Sequence, residues 1–347
     1  MASCVEVYAG PHWVDGEVRE GWIAAEAGRI VDEGGGQSPR AAVGAVLLDT
    51  VHNYHTHVGD AFLLGSDLPR SLEELVAPGS GLKHRRLSAA KPETIQDGIR
   101  RHLESARRAG VSSLLDFREQ GEDGIRLARG AQTKDGPRLL LLGRPAQTPA
   151  KAEEVDSLVA AADGVGAPGV KDWGLDACAA LSEAAHRRGK PFALHASEGE
   201  AENLEDILGL DPDLLVHLGA ATRADLRLVA DAGTPVAVCP SSNEFFHVPC
   251  AADRLVAMGI PWYLGTDNAM LGHADPVDEA RRLHGRHPDL EDDELFRALT
   301  TPPEKAINAL DRDSEAPAAR RRVRVLPLNA SDHVRWDAPP IVLERIP

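Results

Sequence analysis

The stretch VHNYHTHVGD, Val51 to Asp60, packs three histidines and an aspartate into ten residues directly after the apolar run AVLLDT, in a chain with 14 histidines in all. His55 and His57 stand two apart, so on an extended strand both imidazoles project to the same side. Two imidazoles aimed at one point are half of a metal site. An HxH pair also arises readily by chance. Whether this one is a ligand pair or a polar turn depends on what stands downstream.

Before this stretch, the first 45 residues read as short strands separated by glycine turns, CVEVYAG and then GEVREGWIAAEAGRIVDEGGG. From residue 46 the texture changes. Apolar runs (AVLLDTV, GVSSLLDF, PRLLLLG, DGVGAPGV, PFALH, DLLVH, TPVAVCP and IPWYLGTD) alternate with segments of helical period such as PETIQDGIRRHLESARRAG and TRADLRLVADAG. Eight strands with helices between them imply an α/β fold, a (β/α)8 TIM-type barrel over residues 46–312. The proline-containing tail returns to β-like segments. Residues 1–45 plus 313–347 are therefore expected to form a small β-sandwich domain built from both termini. Residues 59–90, GDAFLLGSDLPRSLEELVAPGSGLKHRRLSAAK, fit neither period and read as an insertion over the face where barrel active sites sit.

Hydrophobic residues make up 43% of the 347, enough for a full core, and no stretch approaches twenty consecutive apolar residues. MASCVEVYAGPHW lacks the basic-then-apolar layout of a signal peptide, so a cytoplasmic location is expected. With 38 basic against 54 acidic residues, the net charge is -16. An acidic surface of that strength repels phosphate backbones and anionic lipid, which argues for a small-molecule substrate and against nucleic acid or membrane as partner. Either a salt-loving host or a GC-rich genome accounts for the bias, and a homodimer stays open. Cys4, Cys178, Cys239 and Cys250 show no metal or disulfide spacing.

Downstream, PFALHASE ends a strand with His195, DLLVHLGA ends one with His217, and PWYLGTDNAM ends one with Asp267. Each follows an apolar run, at the edge where side chains meet above a barrel. By contrast, His102, His186, His284 and His287 scatter over helix faces. Any one strand-end residue could be a satisfied buried polar group, but the coincidence of several makes the HxH a ligand pair.

These residues together resemble the amidohydrolase superfamily, in which HxH follows the first strand, histidines end the fifth and sixth, and an aspartate ends the eighth. LHASE, with a glutamate three residues after the histidine, is similar to the deaminase version. VAVCPSSN and LGTDNAM resemble the cytosine and S-adenosylhomocysteine deaminase and chlorohydrolase-like branch. The resemblance runs from about Val46 to Leu310. LTTPPEKAINAL lacks that branch's usual Asn-Pro-Ala, and DTVHNYHTH stands where a PGLVNAHTH-like run is commoner.

The resemblance implies a metal-dependent hydrolase, most simply an aminohydrolase acting on a pyrimidine, purine or pterin-like ring. One divalent ion would be held by His55, His57, His195 and Asp267, with zinc expected on ligand type and Fe2+ or Mn2+ as alternatives. Glu198 is then the general acid/base, and His217 and Asp267 assist catalysis. A second reading is cyclic amide or imidazolone hydrolysis at a mono- or binuclear centre, with Lys171 of GVGAPGVKDW as the bridging ligand. A third is a catalytically silent barrel. In the insertion, the basic run Lys83, His84, Arg85, Arg86 reads as either a solvated face or a cationic wall for substrate, and Asn268 is a further substrate-binding candidate.

Overall fold

A computed structural model of the chain describes residues 4–272, 274–307, 310 and 322–345. Residues 313–321, the expected start of the C-terminal β-segment, lie outside the described residues, as do Asn308 and Ala309 of LTTPPEKAINAL.

Four strands open the chain: β1 (Glu6–Val14), β2 (Glu17–Glu26), β3 (Arg29–Gly35) and β4 (Val43–Leu48). The large sheet comprises β5 (His52–His57), β6 (Ser113–Arg118), β7 (Arg138–Gly143), β8 (Gly164–Ala167), β9 (Phe192–Ala196), β10 (Leu214–His217), β11 (Val236–Val238), β12 (Trp262–Leu264) and β13 (Asp267–Asn268). Two more, β14 (Arg322–Pro327) and β15 (Ile341–Arg345), return to the first group.

In the large sheet, β5 through β12 pair in parallel in chain order, with helices between them. Closure is made by the segment 262–268, which splits its bonding. Its first half pairs with β11, and Gly265 N–H donates to Val238 O at 2.9 Å; beyond the pivot, Thr266 N–H donates to His55 O at 3.0 Å and β13 pairs with β5. A side chain at Gly265 would place its Cβ 2.7 Å from Cβ of His55, so glycine is what lets the eighth strand approach the first. The barrel interior is filled by Tyr54, Leu115, Phe117, Leu142, Val216 and Tyr263 among others, with the Tyr54 and Tyr263 rings stacked at 4.2 Å.

Two expectations are corrected here. The terminal strands form a closed six-stranded barrel in the order β1-β2-β3-β15-β14-β4, not a sandwich; β1 bonds both β2 and β4, so one sheet closes on itself instead of dividing into two stacked sheets. The run AVLLDTV is not the first strand of the large barrel either. It contributes β4, whose Ala45 and Leu47 face the small barrel's core while Val46 and Leu48 face the large one. A strand buried on both faces reads as a continuous apolar run, which is why it passes for a parallel barrel strand. The first strand of the large barrel is HNYHTH itself.

The insertion is also more regular than its composition implies. It forms a 3-10 turn (Val58–Leu63) and two short helices, Leu72–Val76 and Leu82–Ala89, and Val76, Pro78 and Lys83 reach the cavity at the barrel mouth. Among the described residues no helix is long and apolar enough to cross a membrane.

Candidate metal centre and active site

The register of β5 against β6 has a bulge. Asn53 stands opposite Leu114 and Thr56 opposite Asp116, so Tyr54 and His55 together face Leu115. One extra residue on a strand re-aims the side chains that follow it. Here it allows Tyr54 to sit in the barrel interior and its neighbour His55 to point to the mouth above it, with His57 two residues on.

At the mouth these imidazoles meet His195 at the end of β9, His217 at the end of β10 and Asp267 of β13. His57 Nε2 lies 3.4 Å from His195 Nε2, and Asp267 Oδ1 lies 3.3 Å from His55 Nε2 and 3.6 Å from His57 Nε2. Potential ligand atoms of His55, His195 and His217 fall within 4.8 Å of one another, as do those of His55, His57 and Asp267.

The hydrogen bonds assign the tautomers. His57 Nδ1 is 3.0 Å from Phe117 O and 2.9 Å from a Glu119 oxygen, and His195 Nδ1 is 3.0 Å from Ala167 O. Those partners only accept, so both ring protons sit on Nδ1 and the two Nε2 atoms face each other as lone pairs. Both ring nitrogens of buried His55 lack a hydrogen-bond partner. Such convergence of acceptors is costly unless a cation joins them. Tetrahedral ligands at bonds of roughly 2.0–2.1 Å stand about 3.3 Å apart, which is the spacing found. The donor set therefore fits a first-row divalent ion.

Burial lowers the basicity of all three imidazoles, with the neighbouring cations adding to it; His57 is brought down to about 3. They are neutral at ordinary pH, the form a metal needs. Burial would raise Asp267, but the imidazole of His55 against it, with His217 and His57, holds it well below the usual carboxylate range. Its backbone is left-handed at φ 58, a strained conformation for a non-glycine residue. Its Oδ2 accepts from the hydroxyl of Ser242. The neighbouring Ser241 is pinned in turn, donating its N–H (2.7 Å) and hydroxyl (2.5 Å) to buried Glu279.

Glu198 follows β9 in a loop whose turn includes Ser197 at φ 46. The next helix, Leu204–Leu208, is capped by Asn203, so the helix dipole does not explain an acid at 198. Its Oε1 is 3.6 Å from His217 Nε2. Burial, opposed by the pull of His217, raises its carboxyl to about 7. Glu198, His217, Asp267, His195 and His57 line one cavity of about 70 Å3.

The remaining expected residues divide. Lys171 stands on the surface, its ammonium 2.6 Å from Glu200, because β8 already ends at Ala167. It is not among the residues brought together at the barrel mouth. Of the basic run, Arg85 and Arg86 are exposed and His84 is half-buried off the cavity lining. Lys83 is buried, with Nζ 2.7 Å from Glu119, 2.8 Å from Asn268 Oδ1 and 3.3 Å from Asp60.

Glu119 was not singled out in the sequence, yet it is the hub of the site. It receives His57 and Lys83, Arg144 at 2.9 Å and Arg118 at 2.9 Å. Although burial opposes ionisation, those cations hold it well below its ordinary range. A signal existed: LLDFREQG places Glu119 just past an apolar strand, as PFALHASE does His195.

The sequence profile of the amidohydrolase family matches residues 50–312. A protein of Archaeoglobus fulgidus named "Putative aminohydrolase" is 35% identical over 236 residues, 67% of this chain and 67% of its own length. Among solved structures, N-isopropylammelide isopropylaminohydrolase from Burkholderia multivorans superposes with a TM-score of 0.68 at 18% identity, covering 98% of this chain and 97% of that one. An adenosine deaminase from Xanthomonas campestris with bound zinc gives 0.67 at 18% identity, over 94% and 86%. Likeness at that identity speaks for the fold alone, a TIM-type barrel.

Proposed function

Because the chain belongs to the amidohydrolase family, hydrolases of carbon–nitrogen bonds, we propose that it releases ammonia from an amino-substituted heterocycle of the pyrimidine, purine or pterin class. The observation that carries this reading is Glu198: an acid three residues past His195, beside His217, with a carboxyl raised to about 7.

In this reading His55, His57, His195 and Asp267 hold a single divalent ion, zinc first on ligand type. Such an ion supplies hydroxide near neutral pH by lowering the pKa of a water. Hydrolytic deamination consumes one water and returns ammonia and an oxo ring, so one proton must pass from the water to the leaving amine. Glu198 takes and returns it, being poised to change protonation near neutrality. His217, 3.6 Å from Glu198 Oε1, orients that carboxyl and polarises the ring. Asp267 stays ionised throughout. Val76 and Pro78 of the insertion wall the cavity and limit its water.

The test is a panel of amino- and oxo-heterocycles with ammonia detection on metal-replete protein. Ammonia from an aminopyrimidine or aminopurine at useful kcat/KM supports the reading. Turnover confined to lactams, cyclic imides or imidazolones, without ammonia, replaces it with ring-opening hydrolysis.

A further inference from the structure

Asn268 follows Asp267 directly, is buried and lines the cavity. Its Oδ1 accepts from Lys83 Nζ at 2.8 Å. An ammonium offers donors only, so the amide oxygen must face it and Nδ2 is turned away from Lys83. Among the described residues, the one hydrogen bond of the Asn268 side chain is the one its Oδ1 accepts. Lys83 Nζ lies 2.7 Å from Glu119 and 3.3 Å from Asp60, so carboxylates on its other sides hold the ammonium against the Asn268 amide. Arg144 also lines the cavity; one of its nitrogens is held by Glu119 at 2.9 Å. Its guanidinium adds positive charge to the wall. The cavity, at about 70 Å3, is well below the ~300–1,000 Å3 of clefts that take drug-sized ligands.

We propose that Asn268, oriented by Lys83, determines specificity by donating from Nδ2 to a carbonyl oxygen on the substrate, so that the preferred substrate is a single-ring, oxo-substituted aminoheterocycle. This rests on the proposed deaminase reading and narrows it. Lys83 is a positioning residue: without it the amide is free to flip and present its oxygen instead. Arg144 reinforces the choice, because a cationic neighbour favours the more negative carbonyl oxygen over a bare ring edge.

Binding measures this without turnover. Calorimetric titration of metal-replete protein with 2-pyrimidinone and with pyrimidine, neither of which has an amine to lose, gives an oxo preference as a ratio of Kd values. Wild type should favour 2-pyrimidinone by about tenfold or more, the value of one good hydrogen bond. Asn268→Asp keeps an oxygen on Lys83 but turns the cavity-facing group into an acceptor, and should bring the ratio to one or below. Asn268→Ala should bring it near one, and Lys83→Met should lower it with metal content unchanged. If Lys83→Met does not fold, the Asn268 variants decide alone. A ratio unaltered in both Asn268 variants, or no binding of either ring to wild type, overturns the proposal. Ammonia release with an unaltered ratio sinks this inference alone, whereas an Asn268-dependent ratio with no ammonia from any amine sinks only the deaminase reading.

Discussion

His57 and His195 point their Nε2 atoms at each other across 3.4 Å, each with its Nδ1 proton committed to an oxygen elsewhere. Two lone pairs held face to face by the fold need a cation between them. The protein should therefore bind about one divalent ion per chain and lose thermal stability on chelation. His195→Ala or Asp267→Asn should abolish stoichiometric binding, whereas Lys171→Ala, on the surface, should leave it intact. Metal analysis of purified variants checks this; two equivalents in wild type, with one lost in Lys171→Ala, would contradict the single-ion arrangement.

Glu198→Gln should retain metal and fold while lowering turnover by about 10²–10⁴, the usual range for a positioned proton-transfer group. The carboxyl of wild type is raised to about 7, so a group that first accepts a proton is competent above that value. The wild-type rate should rise with pH through about 7, and the residual rate of Glu198→Gln should lack that limb. Steady-state kinetics from pH 5.5 to 8.5 decides.

Glu119 fixes the tautomer of His57 from 2.9 Å, and losing such a support typically costs about 10–100-fold in metal affinity. Glu119→Gln should show that loss in a chelator competition. It also leaves Lys83 and Arg144 under-compensated, so unfolding free energy should fall by about 3–5 kcal/mol. Unchanged affinity in a folded variant would remove Glu119 from the centre.

His102, buried on the helix Pro92–Ala109, is lowered by burial to about 4, and His52 to about 3. The unfolded chain takes up these protons below about 6.5, so the stability from keeping them neutral is complete above that pH and is lost as pH falls toward the folded values. For His102 the loss between pH 7 and 5 should be about 2 kcal/mol. Urea unfolding of wild type and His102→Leu at both values tests this: the variant should lose less by that amount, and parallel losses would refute it.

Much of the candidate centre was legible because its residues sit at the ends of apolar strands, where a polar side chain has few reasons to be. Glu119 and Arg144 carried the same signal, after LLDF and LLLLG, but without a matching motif they did not stand out. Lys83 was obscured by its neighbours in KHRR. Only one face of the helix Leu82–Ala89 turns inward, and Lys83 and Leu87, four apart, occupy it while Arg85 and Arg86 face solvent. AVLLDTV misled for the opposite reason, since burial between two cores erased the alternation that marks a strand's faces.

Strand spacing, residue type and order along the chain were properties of local sequence, because side-chain period and chemistry need no distant partner. They specified an α/β barrel and the residues able to carry a metal. The bulge that sets His55 above Tyr54, the Nδ1 bonds that leave Nε2 lone pairs converging, the approach of Gly265 to His55 and the Lys83–Asn268 bond across 185 positions were beyond that reach. Each depends on contact between segments far apart in the chain, where packing and hydrogen-bond geometry, not propensity, fix the outcome.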